Sequence, residues 1–174
     1  EPNGYLHIGH AKAIGLNFGL GEHYKAPVYL RFDDTNPAAE EQEFVDAIKN
    51  DISWLGYSWK KITYSSDNFD QLYDWALYLI SIEKAYVDSQ TSEVIAAQKG
   101  TPTTPGQNSP FRDRSIEENT SLFVQMKEGK VKEGEHVLRA RIDMSNANML
   151  MRDPVIYRVL NKSHHRTSDK WNIY

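Results

Sequence analysis

The chain has 174 residues, of which 40% are hydrophobic and 25% charged, the balance of a soluble folded protein with room for one good-sized core. It has no cysteine, which excludes disulfides and thiolate zinc sites, and it contains no run of about 18 apolar residues such as a membrane helix needs. The net charge of −4 is unevenly spread: residues 1–90 hold 7 Lys and Arg against 14 Asp and Glu, residues 91–174 hold 13 against 10, so a phosphate-rich partner would favour the second half.

In chain order, Ala11, Ile14 and Phe18 recur at helical spacing and predict a helix over 9–23, with Gly21 as its stop. Residues 27–32 read as a short apolar strand covered on both faces. Asp33 to Pro37 form a turn, with Asn36 capping a helix from about 38 to 55 and Pro37 at its first position. In that helix Phe44, Ile48, Ile52 and Leu55 face inward, and Glu40, Glu41 and Glu43 occupy its first turns. Residues 62–64 predict a second strand, and 68–84 a helix with Phe69, Leu72, Ala76, Leu79 and Ile80 inward. This alternation predicts an α/β class with a parallel sheet.

Further along, 85–88 read as a strand, 92–99 as a short helix and 100–114 as a long loop, of the kind that is functional or disordered. Ser115 and Glu118 form a capping box that opens a helix to about 128. Strands at 136–142 and 155–159 complete an α+β segment with a partly exposed sheet. The chain begins with Glu1 rather than Met and ends on the apolar run Trp171-Asn172-Ile173-Tyr174, so both ends read as cuts. With neither signal peptide nor membrane span, the expected location is cytoplasmic.

Three groups of residues carry chemistry. His7 and His10 flank Gly9 where the first helix opens, beside amides that have no helical partner, and the positive helix end attracts anions; this is a site for phosphate. The pair is a poor metal site, because helical zinc histidines are usually four apart with a third ligand nearby. Asp33 and Asp34 fall at the carboxyl end of a strand, where ligands of open α/β sheets sit, and one of them can pair with an ammonium. Arg139 and Arg141 share a strand face suited to a phosphate backbone, within a basic stretch that also holds Arg152, Arg158, Lys162, Arg166 and Lys170.

The run Glu1-Pro2-Asn3-Gly4-Tyr5-Leu6-His7-Ile8-Gly9-His10-Ala11-Lys12-Ala13, taken with Leu30-Arg31-Phe32-Asp33-Asp34-Thr35-Asn36-Pro37, resembles the class I aminoacyl-tRNA synthetases, in their glutaminyl branch and its glutamyl relatives. Shorter stretches at 64–67, 85–88, 108–115, 138–144 and 151–154 extend the resemblance along the chain. It implies the first half of a Rossmann-like class I synthetase catalytic fold over residues 1–67, with an α+β acceptor-end-binding insertion over 68–174. It implies an ATP site lined by Glu1, Pro2, Asn3, His7, Ile8, Gly9, His10, Ala11, Lys12 and Ala13, in which His7, His10 and Lys12 act on the phosphates. Mg²⁺ would accompany those phosphates, with no metal site of the protein's own.

By the same resemblance Asp33 holds the α-ammonium of glutamine, and Pro102, Arg112, Arg114, Arg139 and Arg141 are candidates for the tRNA acceptor end. Pro102 stands where relatives often carry a leucine that opens the terminal base pair. The second ATP loop of the family is absent from these residues. The implied partners are the tRNA acceptor end and glutamine, with no membrane and no obligate protein partner. The alternatives are a glutamyl enzyme of the related type or a non-catalytic RNA-binding module.

Overall fold

The computed structural model describes all of residues 1–174. They form two compact units: Glu1–Phe69 with Ser163–Ser168, and Asp70–Lys162 with Asp169–Tyr174. The assignment of Ser163–Ser168 to the first unit was not foreseen from the sequence. No helix is long and apolar enough to cross a membrane.

The first unit contains α1 (Ile8–His23), β1 (Tyr29–Phe32), α2 (Gln42–Trp54), β2 (Lys61–Tyr64) and a 3-10 turn at Ser65–Asn68. β1 and β2 pair in parallel, Tyr29 opposite Lys61 and Phe32 opposite Tyr64. This is the α/β alternation expected from the sequence. β1 is not covered on both faces, however: only Phe32 is buried, while Tyr29 and Arg31 are exposed. The glycine expected to stop α1 packs instead. A Cβ on Gly21 would lie 2.4 Å from Val28 Cγ2, so the missing side chain lets the helix lie against the segment leading into β1. The helix runs on to His23, and Lys25 turns the chain with φ of 52°.

α2 starts four residues later than expected. Asn36 does not cap it; its carbonyl accepts the amides of Ala39 and Glu40, and its own amide donates to Glu40 Oε1 at 2.9 Å, closing residues 36–40 into a separate turn. Glu41 then takes the N-cap position and its amide turns to the Pro2 carbonyl. The buried face of α2 carries Val45 and Ile52, with Phe44, Ile48 and Leu55 half-buried at its edge.

The second unit contains nearly all of α3 (Phe69–Ser81), then β3 (Ala85–Asp88), α4 (Ser92–Gln98), α5 (Ile116–Lys127), β4 (Val137–Ala140) and β5 (Val155–Arg158). Its three strands form an antiparallel sheet in the order β3-β4-β5. Ser115 caps α5 by accepting the Glu118 amide at 3.1 Å, but the expected box is half made, because the Glu118 carboxylate pairs with Arg114 at 2.9 Å. Asn119 of α5 accepts the Val87 amide at 2.8 Å, which ties the helix to the strand at the edge of the sheet. Phe123, Met126, Leu138 and Ile80 are fully buried, and Trp171 and Ile173 close the core from the chain end. Ile173 bridges to Val159, so the terminal apolar run is buried as its composition suggested.

Candidate active site

The site begins with the cap of α1. His7 sits at the N-cap with extended backbone, and its Nδ1 accepts the Gly9 amide at 3.0 Å; His10 Nδ1 in turn accepts the His7 amide at 3.1 Å. The rings lie 4.0 Å apart. Each Nδ1 is therefore an acceptor, which in the neutral imidazole places the proton on Nε2. The helix mouth presents two imidazole N–H donors at its positive end.

The expectation of unpaired amides needs correction, since the His7 and Gly9 amides are taken by the two rings and those of His10 and Ala11 by the His7 carbonyl. The geometry also explains Gly9: a Cβ there would lie 2.8 Å from His7 Cε1, so only glycine lets the ring fold over the first turn. Ile8, Lys12 and Ala13 are exposed and Ala11 is half-buried. Glu1 and Asn3 are exposed and bonded to each other at 3.0 Å, whereas Pro2 is buried and supports the segment from beneath.

α1 returns to β1 through a short connection, so its N-terminus lies at the same end of the unit as the carboxyl end of β1. The contacts of the N-terminal segment agree with this. Tyr5 donates a hydrogen bond to Glu43 and packs edge-on against Phe44, and Pro2 accepts the amide of Glu41, both on the segment that follows Asp33 and Asp34.

The two aspartates divide their work. Asp34 is fully buried, and its carboxylate accepts the Ser66 amide at 2.9 Å and the Ser66 hydroxyl at 2.6 Å, joining the ends of β1 and β2. Asp33 is half-exposed, with Oδ1 2.9 Å from Arg31 Nε and 3.2 Å from Ser65 Oγ. Arg31 is more exposed still, so a ligand cation can compete for the Asp33 carboxylate at the solvent side.

Behind Asp34 lies a cluster that sequence reading missed. Glu40, His164 and His165 bring one potential ligand atom each within 4.8 Å of one another. His164 spends both ring nitrogens on hydrogen bonds, Nε2 to the Asp34 carbonyl at 2.9 Å and Nδ1 to the Arg166 amide at 3.1 Å, so this group lacks a third free ligand. Burial pushes the Glu40 carboxyl up to about 7. Burial and the neighbouring His164 push His165 down, which leaves a neutral imidazole beside a carboxyl that holds its proton near neutrality.

In the second unit the arginines expected to face RNA are occupied within the fold. Arg139 is completely buried; its NH1 pairs with Asp88 Oδ2 at 2.8 Å and its Nε donates to the Asp153 carbonyl at 2.7 Å. Strand alternation placed it on one face with Arg141, but the middle of β4 is buried on both faces, Leu138 as fully as Arg139, and Arg141 lies beyond the end of the strand. Arg112 pairs with the buried Asp153 at 2.7 Å, and Arg114 donates to the Val87 carbonyl and to Ser89. Arg141, a third exposed, pairs with Asp113. Pro102 alone among these candidates is exposed, on a tight turn in which Thr101 and Thr104 pair. Arg152 fixes that turn from the interior, donating to the carbonyls of Thr101 and Thr104 at 2.9 Å each, so the long loop is ordered there.

A family model described as tRNA synthetases class I (E and Q), catalytic domain, matches residues 1–174. Among curated proteins, glutamine–tRNA ligases from Pseudomonas syringae pv. tomato and Nitrobacter hamburgensis are 57% and 55% identical over the whole of this chain, which covers 31% of each relative. The chain thus spans about a third of the length of these relatives. Among solved structures, a glutamate tRNA ligase from Elizabethkingia meningosepticum, in complex with its amino acid, superposes with a TM-score of 0.63 at 16% identity, over 90% of this chain and 37% of that one. At that identity the match speaks for the fold alone.

Proposed function

We propose, on the premise that this chain belongs to the catalytic-domain family of the class I tRNA synthetases (E and Q), that it forms the ATP- and amino-acid-facing front part of a glutamine–tRNA ligase. The observation that carries the reading is the pairing of two features at one end of the first unit: the reciprocal imidazole cap of α1, and the half-exposed Asp33 at the tip of β1. The identities of 55–57% to glutamine–tRNA ligases favour glutamine over glutamate.

The chemistry follows from these groups. ATP enters as its Mg²⁺ complex, the ion riding on the phosphates. His7 and His10 donate Nε2–H to phosphate oxygens, and the positive end of α1 adds to the field as charge shifts toward the leaving pyrophosphate. Asp33 pairs with the α-ammonium and so aims the glutamine carboxylate at the α-phosphorus. A carboxylate oxygen forms the new P–O bond while the bond to the bridging oxygen breaks, giving the aminoacyl adenylate and pyrophosphate. No covalent enzyme intermediate is needed; the residues act by positioning and electrostatics. Lys12, exposed one turn into the helix, adds a mobile positive charge on the phosphate side.

The second unit, with most of residues 68–174, is assigned to the tRNA acceptor end, with Pro102 as its exposed apolar wedge. The reading as a non-catalytic RNA-binding module is not favoured, because glutamine–tRNA ligases are 55–57% identical over the whole of this chain. The test is glutamine-dependent ATP–pyrophosphate exchange on the intact protein with tRNA present. His10→Ala and Asp33→Ala should each cut kcat/KM at least about a hundredfold, the scale of losing an oriented charge-stabilising contact. Unchanged exchange in both variants refutes the assignment.

A further inference from the structure

Residues Ser163–Ser168 form a loop pinched shut by paired backbone bonds between His164 and Ser168, at 3.0 and 2.8 Å. It belongs to the first unit although its partners lie about a hundred positions earlier in the chain. Two side chains reach from it. The Nδ1 of His164 accepts the amides of Arg166 and Thr167, so its proton is on Nε2, which donates to the Asp34 carbonyl at 2.9 Å. The ring is buried, stacked on His165 and edge-on to Phe69.

Arg166 donates through NH1 to Ser66 Oγ at 2.6 Å and to Asp67 Oδ1 at 2.8 Å, with its guanidinium 3.7 Å above the Tyr64 ring. Ser66 passes this restraint on to the Asp34 carboxylate, and the adjacent Ser65 hydroxyl touches Asp33. The loop therefore restrains Asp33 through its two neighbours, holding the Asp34 carbonyl on one side and Ser66, next to the Ser65 that donates to Asp33, on the other.

We infer that Ser163–Ser168 is a positioning loop that sets the affinity for the amino-acid substrate, with His164 and Arg166 as positioning residues that act through Asp34, Ser65 and Ser66 on Asp33. The inference rests on the reading of Asp33 as the ammonium-binding carboxylate. An ammonium contact is present in the ground state and the transition state alike, so loosening it raises KM for the amino acid and leaves kcat largely alone. Weakening one hydrogen bond to a charged group, without losing it, should raise KM about tenfold.

The experiment is pyrophosphate exchange on the intact protein with tRNA, measuring KM for glutamine and for ATP separately. Arg166→Gln and His164→Leu should each raise KM for glutamine about tenfold, with KM for ATP and kcat within about threefold of wild type. Arg166→Lys, which keeps a cation in reach of Ser66 and Asp67, should recover most of that loss. The double variant Asp33→Ala with Arg166→Gln should be no weaker than Asp33→Ala alone, because the two act through one contact.

His164 is buried, so its replacement also disturbs packing; Arg166 is a third exposed and keeps the test decisive. A normal KM for glutamine in folded Arg166→Gln, beside a raised one in Asp33→Ala, overturns the positioning role and leaves the Asp33 assignment standing. A normal KM in Asp33→Ala overturns both. Equal losses for ATP and glutamine, or losses additive with Asp33→Ala, reduce the loop to general structural support and overturn the inference.

Discussion

Replacing Arg139 by alanine should damage the fold rather than RNA binding. The side chain is completely buried and gives two strong bonds, to the Asp88 carboxylate and the Asp153 carbonyl. Removing the guanidinium leaves the equally buried Asp88 carboxylate without its cation, keeping only the Gln90 amide at 3.0 Å. Breaking a buried pair from one side costs about 3–5 kcal/mol, because the remaining charge stays desolvated. With a urea m-value of about 2 kcal/mol/M, the unfolding midpoint should drop by about 2 M. The assay is urea unfolding followed by near-ultraviolet circular dichroism, run beside acceptor-stem RNA titration at two salt concentrations. Arg139→Met with Asp88→Leu, which removes both charges, should recover part of the loss. A midpoint within about 0.3 M of wild type, the shift expected of an ordinary surface change, would refute the reasoning, above all if RNA affinity fell instead.

Two further perturbations address the first unit. Burial raises the Glu40 carboxyl to about 7, so the folded state binds more protons than the unfolded state between about pH 4.5 and 7, and Glu40 costs stability progressively as pH rises through that window. Glu40→Gln, which keeps an oxygen for the Asn36 amide, should therefore gain Tm relative to wild type at pH 8 and not at pH 4.5; a pH-independent difference would show that the carboxyl does not titrate there. In Gly9→Ala the new methyl would sit 2.8 Å from His7 Cε1 and push the ring off its cap. KM for ATP should rise about tenfold, as one oriented donor is lost, with KM for glutamine unchanged; an unchanged KM for ATP would exclude the His7 ring from the phosphate site.

The sequence made legible what depends on local periodicity and on motif. The parallel pair, the strand positions of the second sheet, α4, the Ser115 cap and the buried terminal run all follow from patterns a few residues long, whereas the antiparallel pairing of the second sheet does not. The start of α2 was misplaced because Asn36-Pro37 is a good cap locally, whereas the Glu40 side chain and the Pro2 carbonyl redirect the chain. Arg139 was misread because alternation assigns a residue to a face without saying what covers it; here Asp88 on the neighbouring strand and the Asp153 carbonyl take up the charge. The His164 and Arg166 contacts to Asp34 and Ser66 span 130 and 100 residues, and no periodicity carries such a pairing. The motif marks His7 and His10, but their reciprocal Nδ1 caps, which fix where the protons of the neutral rings lie, arise only in the folded chain.

The most direct test is exchange of labelled pyrophosphate into ATP by the intact protein with tRNA present, run side by side with glutamine and with glutamate. Exchange that depends on glutamine and disappears in Asp33→Ala is the predicted result. Exchange driven by glutamate, or glutamine-driven exchange that survives the loss of Asp33, would contradict the assignment of this site.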